Sequence, residues 1–323
     1  ENPHGYGRII RNGSEIIDIV AEKDATDAEK AVCEIDSGMF FFKSDKLKSV
    51  LRRLSNDNAQ GEYYLTDAIK LLSADGEKVG AFPANFENII GVNDRVQLAA
   101  AEKILNRRNV NRVMLDGVTV VDPDNTYIDS DVKIGADTVI YPGCFIEGRT
   151  EIGEDCVIGP DTTLRNSKIG DSTTVERSVL TDSTVGSNTA VGPFAYMRPN
   201  SHVGSNVKIG DFVEVKNSSI DDGTKVAHLT YVGDADVGKR VNFGCGTVIV
   251  NYDGINKHRT TIGDDAFIGC NTNLVSPVRV NDGAYTAAGS TITDEVPENA
   301  LAIARSRQVN KEDWVIKNGK RKN

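Results

Sequence analysis

Residues 128–164 read IDSDVKIGADTVIYPGCFIEGRTEIGEDCVIGPDTTL, and within them Ile128, Ile134, Ile140, Ile146, Ile152, Ile158 and Leu164 fall six apart without a slip. A six-residue apolar period matches neither a helix nor an alternating strand. It fits hexapeptide solenoid repeats, in which each hexad supplies a short strand and a corner and stacked coils share one core. The steps shorten at Ile169 and Leu180, as if corners were trimmed. The period returns at Val185, Val191, Met197, Val203, Ile209 and Val215, and again at Ile262, Ile268, Leu274 and Val280. Glycine often follows the apolar position, as at Gly135, Gly153 and Gly210, where a tight corner suits a residue without Cβ. Three hexads per coil from 128 to about 303 give about ten coils, and strands ~4.8 Å apart make a prism roughly 45 Å tall.

One segment breaks this register. Residues 249–261, IVNYDGINKHRTT, have no clean hexad and carry polar, aromatic and basic groups, as solenoid insertions with a function do. Upstream, the turn cluster Asp122-Pro123-Asp124-Asn125 opens the solenoid. Before it, NDRVQLAAAEKILNRRNVNRVML from Asn93 reads as one long helix capped by Asn93 or Asp94. Residues 1–92 read as mixed α/β, with strands at 15–20 and 37–43 and helical periodicity at 46–54 and 62–73. The predicted organisation is an α/β piece over 1–92, a linker helix over 93–116 and the solenoid domain over 117–323. The final stretch, KEDWVIKNGKRKN, holds the only tryptophan and a basic tail that reads as a solvated charge run.

Composition narrows the function. A chain of 323 residues with 39% hydrophobic residues has room for about two packed domains. A net charge of −10 and a pI near 5.0 argue against nucleic acid and anionic membrane as partners. No apolar run approaches the ~20 residues of a membrane span, and the start, ENPHGYGRII, has no signal-peptide core, so a cytoplasmic location is expected. Five scattered cysteines without a CxxC pair read as small thiols in a reducing compartment.

Four histidines are present: His4, His202, His228 and His258. His228 sits where no hexad position calls for an imidazole. Arg198 and Lys216 are eighteen residues apart, one full coil, and so should stack within about 5 Å axially. Two cations stacked without acids between them repel, unless an anion such as a phosphate bridges them. No nucleophile–base pair of the Cys–His kind is readable.

The segments GPFAYMRP, GDFVEVKNS, KVAHLTYVGDADVG, NFGCGTVIVNYDG, KHRTTIGDDAFIG and ALAIARSRQ run in the order and nearly the spacing of one family. The chain resembles, over its whole length, the bifunctional bacterial glucosamine-1-phosphate N-acetyltransferase and N-acetylglucosamine-1-phosphate uridylyltransferase. That resemblance implies a left-handed parallel β-helix acetyltransferase domain, an exception to the usual right-handed crossover, and a homotrimer with active sites between subunits. It also implies roles by position. Arg198 and Lys216 would hold the sugar phosphate, Tyr231 and Asn242 the sugar. His228 would be the general base toward acetyl-CoA, a role an imidazole suits. Asn251, Tyr252 and Ala288 would line the acetyl-CoA site, and Arg305 would take a CoA phosphate. Cys245 stands where the family often has Ala, and Cys270 where it often has Ser.

In the first domain, YGRI at 6–9, EKDAT at 22–26, GEYYLTD at 61–67 and GVNDR at 91–95 resemble the second half of the family's nucleotidyltransferase domain. Gly7, Asp36 and Asn93 would then be what remains of a UDP-sugar site, with Asn93 also a Mg²⁺ ligand. Asp36 stands where Asn is usual, and Ala21 where a sugar-binding Glu is usual, with Glu22 one place along. The family's glycine-rich triphosphate loop and its metal-binding Asp are not readable in these residues. A lone neutral Asn cannot hold Mg²⁺ against water, so UTP chemistry is expected of a longer parent protein. Another hexapeptide-repeat acyltransferase, or a non-catalytic β-helix scaffold, are the alternatives. A zinc-dependent carbonic anhydrase on the same scaffold would need three converging histidines, and their spacing here does not provide them.

Overall fold

Short parallel strands, most of them two or three residues long, fall into three sheets of ten, nine and eleven strands in a computed structural model that describes residues 3–320. Within each sheet a strand pairs with those three places earlier and later, except at the ends and at the last pair, Tyr285–Thr286 with Leu301–Ala302, so the chain winds as a parallel β-solenoid of about ten coils between Thr119 and Ala302. The hexad residues lie where the period puts them. Ile128, Ile146, Leu164, Leu180, Met197, Val215, Val232, Ile249, Leu274 and Ile292 line one sheet. All ten are buried, and with their counterparts from the other sheets they form one continuous core. The trimmed steps are real: Leu164 pairs with Leu180 at a spacing two short of a full coil.

Two side-chain devices join the coils. Buried hydroxyls bridge the backbone, as where Thr138 Oγ1 donates to Gly153 O (2.8 Å) and accepts from Cys156 N (3.0 Å), and Thr224 repeats the pattern with Gly238 and Val241. Without them these buried carbonyls and amides would lose a partner. The second device is the corner glycine. A Cβ on Gly153 would stand 2.1 Å from Asp171 Oδ1, and one on Gly210 would stand 1.9 Å from Ala227 O. These glycines are needed because the next coil lies against them. The left-handed conformation falls two residues further on, at Asp155 and Phe212.

The helix is Arg95–Leu115, and Asp94 is its cap: its Oδ1 accepts from Gln97 N at 2.8 Å. From Asn106 onward it closes the first coil. Asn106 both donates to Thr126 O (2.8 Å) and accepts from Ile128 N (3.0 Å), while Asn109 donates to Ile128 O (2.8 Å). Val110 and Val113 bury against the solenoid core, so the open edge of the first coil is covered.

The chain divides into two compact units, one up to Glu102 and one from Lys103. In the first, Arg8–Asn12 and Glu15–Val20 form an antiparallel hairpin, with helices at Ser44–Leu51 and Asp67–Ala74. The strand expected at 37–43 is not one. Its alternation survives, with Phe40 and Phe42 packed against Ile16, Ile19 and Ile69 while Met39 and Phe41 face out, but no ladder forms along it. The helix expected from 62 starts at Asp67, because Asn58 pins Glu62 through both its N–H and its carbonyl. A short helix, Trp314–Lys317, occupies the C-terminal stretch; the last three residues of the basic tail, 321–323, lie outside the described residues.

Candidate active site

Ile209, Val226, Phe243, Ile268 and Thr286 stack on one sheet in register, so the residues two places beyond each stack along the adjoining corner. That row is Asp211, His228, Cys245, Cys270 and Ala288. His228 Nδ1 lies 2.8 Å from Asp211 Oδ1. A carboxylate only accepts, so Nδ1 carries a proton and donates it, and in the neutral ring Nε2 is then the nitrogen with a free lone pair. The hydrogen bond from His228 is the main reason the Asp211 carboxyl is held below its ordinary value. Both side chains reach solvent. Sequence reasoning missed Asp211, although its place one trimmed coil before His228 was the available signal.

The next corner gathers cations. Met197 and Val215 are in register, so Arg198 and Lys216 stack as the eighteen-residue spacing predicts. The expectation that no acids lie between them does not hold. Arg198 Nη1 is 3.0 Å from Glu214 Oε1, and Lys216 Nζ is 3.5 Å from Asp234 Oδ2. The first pair is exposed and therefore weak, easily replaced by a ligand anion. The second is largely buried. A third cation joins them from the insertion: Lys257 lines a cavity of about 390 Å³ with Arg198, Pro199, Asn200, Lys216, Asn217 and Asp234. The contact with Lys257, followed by the charge of Asp234, raises Lys216. The same contact and the Lys216 charge lower Lys257. Nothing in the hexad register could have placed Lys257, because the insertion breaks it.

The insertion itself is ordered. Tyr252 bridges Lys257 in antiparallel fashion, His258 N donates to Asn251 O (2.8 Å), and Tyr252 Oη donates to Gly254 O (2.6 Å). Asp253 accepts from Ile255 N, Asn256 N and His258 Nε2, and these bonds lower its carboxyl to about 2. Arg259 ties the exit to the prism through a fork on Asp236 and a bond to Asn217 O.

The other expected residues fall around these two corners. Tyr231 lies on the sheet between them, half-buried, with its hydroxyl 3.4 Å from Asn251 Nδ2. Asn242 lies on the neighbouring sheet, beyond the His228 corner. Arg305 lies against the end of the corner row, its Cδ 3.7 Å from where a Cβ on Gly289 would stand. His202 hydrogen-bonds Thr184 on a third sheet, so His202, His228 and His258 do not converge.

In the first unit, Gly7 and Asp36 are neighbours: Asp36 N donates to Gly7 O at 2.9 Å. Burial raises the Asp36 carboxyl. The segment that holds Asn93 approaches through Gly91, whose N–H lies 3.4 Å from the Tyr6 hydroxyl. Glu22 is occupied by Arg8 and the Gly5 amide. Among the described residues no group of three His, Cys, Asp or Glu side chains could hold a metal ion. Asn93, a single neutral side chain, does not by itself make a Mg²⁺ site.

A family model described as "Bacterial transferase hexapeptide (six repeats)" matches residues 131–166, 182–217 and 259–294. The bifunctional protein GlmU of Clostridium kluyveri is 59% identical over 324 residues, covering 100% of this chain and 71% of the relative. That of Caldanaerobacter subterraneus is 57% identical, covering 99% of this chain and 71% of the relative. Among solved structures, the Arabidopsis UDP-N-acetylglucosamine acyltransferase matches at 15% identity and a TM-score of 0.43, over 60% of this chain and 76% of that one. With register, corner rows and near-complete coverage in agreement, the chain belongs to the bifunctional GlmU family.

Proposed function

We propose that the solenoid transfers the acetyl group of acetyl-CoA to the 2-amino group of glucosamine-1-phosphate, giving N-acetylglucosamine-1-phosphate and CoA. The observation that carries this reading is the Asp211–His228 pair on one corner and, across the sheet of Tyr231 on the next, a cavity lined by Arg198, Lys216 and Lys257. The three cations suit a phosphate dianion. His228 Nε2 takes the proton from the amine as nitrogen attacks the thioester carbonyl, and Asp211 steadies the imidazolium that forms. The carbon–sulfur bond then breaks, and the imidazolium returns its proton to the CoA thiolate. Cys245, Cys270 and Ala288 continue the His228 row toward Arg305, a track suited to an extended pantetheine arm, with Asn251 and Tyr252 beside it. On this row Cys245 is half-buried and Cys270 exposed.

A homotrimer fits the same facts. Tyr231 and Asn242 face outward from different sheets of a convex prism, so one subunit does not surround a sugar with both. Phe194, Phe212 and Leu229 are exposed beside His228, each in the left-handed conformation that costs a bulky residue stability, and Phe194 stacks on Phe212. A partner subunit covering that ladder would complete the site. No helix among the described residues is long and apolar enough to cross a membrane. UTP would be a substrate of the longer parent protein, with Mg²⁺; the 323 residues assayed alone should release no pyrophosphate from UTP and N-acetylglucosamine-1-phosphate. The main test is acetyl-CoA consumption with glucosamine-1-phosphate beside glucosamine-6-phosphate and serine. Equal rates with all three would reject the reading.

A further inference from the structure

Asp234 sits at the meeting point of the two halves of the site. It is buried at 6% exposure and adopts a left-handed backbone (φ 51). Its carboxylate accepts from Asn217 Nδ2 (2.5 Å), from Lys216 Nζ (3.5 Å) and from Asn251 Nδ2 in a short contact. Asn251 in turn reaches the Tyr231 hydroxyl. The Asp234 backbone carbonyl accepts from Thr260 N (3.1 Å), so this one residue holds both the entrance and the exit of the 251–259 insertion. Burial opposes its ionisation, but the bonds from Asn217 and Asn251 and the Lys216 charge keep its carboxyl below the ordinary value.

We propose that Asp234 is a positioning residue that couples the sugar-phosphate subsite to the acetyl-CoA loop, by holding Lys216 and Asn251 on a single buried carboxylate. The proposal rests on the acetyltransferase reading for the identity of the two ligands. On that reading Lys216 would lie under the phosphate, and Asn251 opens the loop that carries Tyr252 and Lys257. A ligand that draws Lys216 away from Asp234 leaves the shared Oδ2 to Asn251 and so tightens the hold on the loop, and by linkage the reverse must hold. Asn has the right shape for the test, since it tolerates the left-handed backbone but cannot accept from an ammonium and two amides at once.

The experiment compares D234N, K216A and N251A with the full chain in steady-state kinetics, and follows hydrogen exchange of residues 251–259 with and without inorganic phosphate. K216A should raise KM for glucosamine-1-phosphate only, and N251A that for acetyl-CoA only. D234N should raise both by about tenfold, as expected for loss of a charge-assisted contact at each end. Phosphate should slow exchange in the loop of the unmodified chain and leave it unchanged in D234N. The swap D234N/N251D restores a donor–acceptor pair between these positions and should recover loop protection, which a general folding defect would not allow. A D234N effect confined to one substrate, or undiminished phosphate protection in D234N, overturns the proposal. If the unmodified chain lacked turnover on glucosamine-1-phosphate yet phosphate still protected its loop and not that of D234N, the coupling would stand and only the substrate assignment would fall.

Discussion

Replacing Asp211 by Asn separates what the carboxylate does for His228 from what the imidazole does itself. Asn keeps the shape and can still accept from Nδ1–H through Oδ1, so the ring keeps its tautomer and direction. Lost is only the attraction between a carboxylate and the imidazolium that forms as the amine is deprotonated. A general base contributes about 10²-fold or more, and H228A should lose at least that. Both members of the pair are more than a third exposed, so water screens the charge term. D211N should therefore cost only about tenfold in kcat, with KM for acetyl-CoA little changed. Because His228 holds Asp211 below its ordinary value, the carboxylate is ionised throughout the neutral range, so its charge is present at every pH of the assay. Turnover is best followed by loss of the thioester itself, since Cys33 and Cys270 are exposed and would consume a thiol reagent. In the H228A background D211N should add nothing, because the carboxylate acts only through the imidazole. Equal losses from D211N in both backgrounds would refute the dyad.

R198A, K216A and K257A should each raise KM for glucosamine-1-phosphate by about tenfold or more while sparing that for acetyl-CoA, as judged by initial rates. Arg198 should be the mildest of the three, since Glu214 already competes for it in the open. Lys257 is lowered by its contact with Lys216, and a bound phosphate dianion reverses that, so glucosamine-1-phosphate binding should take up a proton at alkaline pH. Calorimetry in two buffers of different ionisation heat measures this uptake, and K257A should abolish it. Asp253 is lowered to about 2, so its hold on the insertion is present above the ordinary carboxylate range and is lost only as pH falls through that value. Exchange protection of the Ile255 and Asn256 amides should thus be flat from about pH 5 to 8 and disappear in D253A, which removes the accepting oxygen.

What the sequence made legible follows from how each feature is encoded. The solenoid is readable because every hexad repeats the same local demand, an apolar residue inward and a small one at the corner, and register errors cannot accumulate without exposing a row of Ile and Val. The same repetition places Arg198 above Lys216, since a full coil separates them. It should have placed Asp211 beside His228 as well, but that coil is trimmed by one residue, and a count in whole hexads steps past it. Glycine at 210 follows from the approach of Ala227 in the next coil, a contact invisible until coils are stacked. The residues 37–43 alternate like a strand because alternate faces are buried, yet alternation specifies burial and not a hydrogen-bonding partner. Lys257 and Asp234 escape for a deeper reason. The insertion departs from the repeat at Asn251 and rejoins it at Thr260, and both joins are made on Asp234, once by its side chain and once by its carbonyl. Where a chain leaves its own periodicity, position is set by individual hydrogen bonds instead of by count, so the part of the site that periodicity could not predict is also the part that one substitution can move.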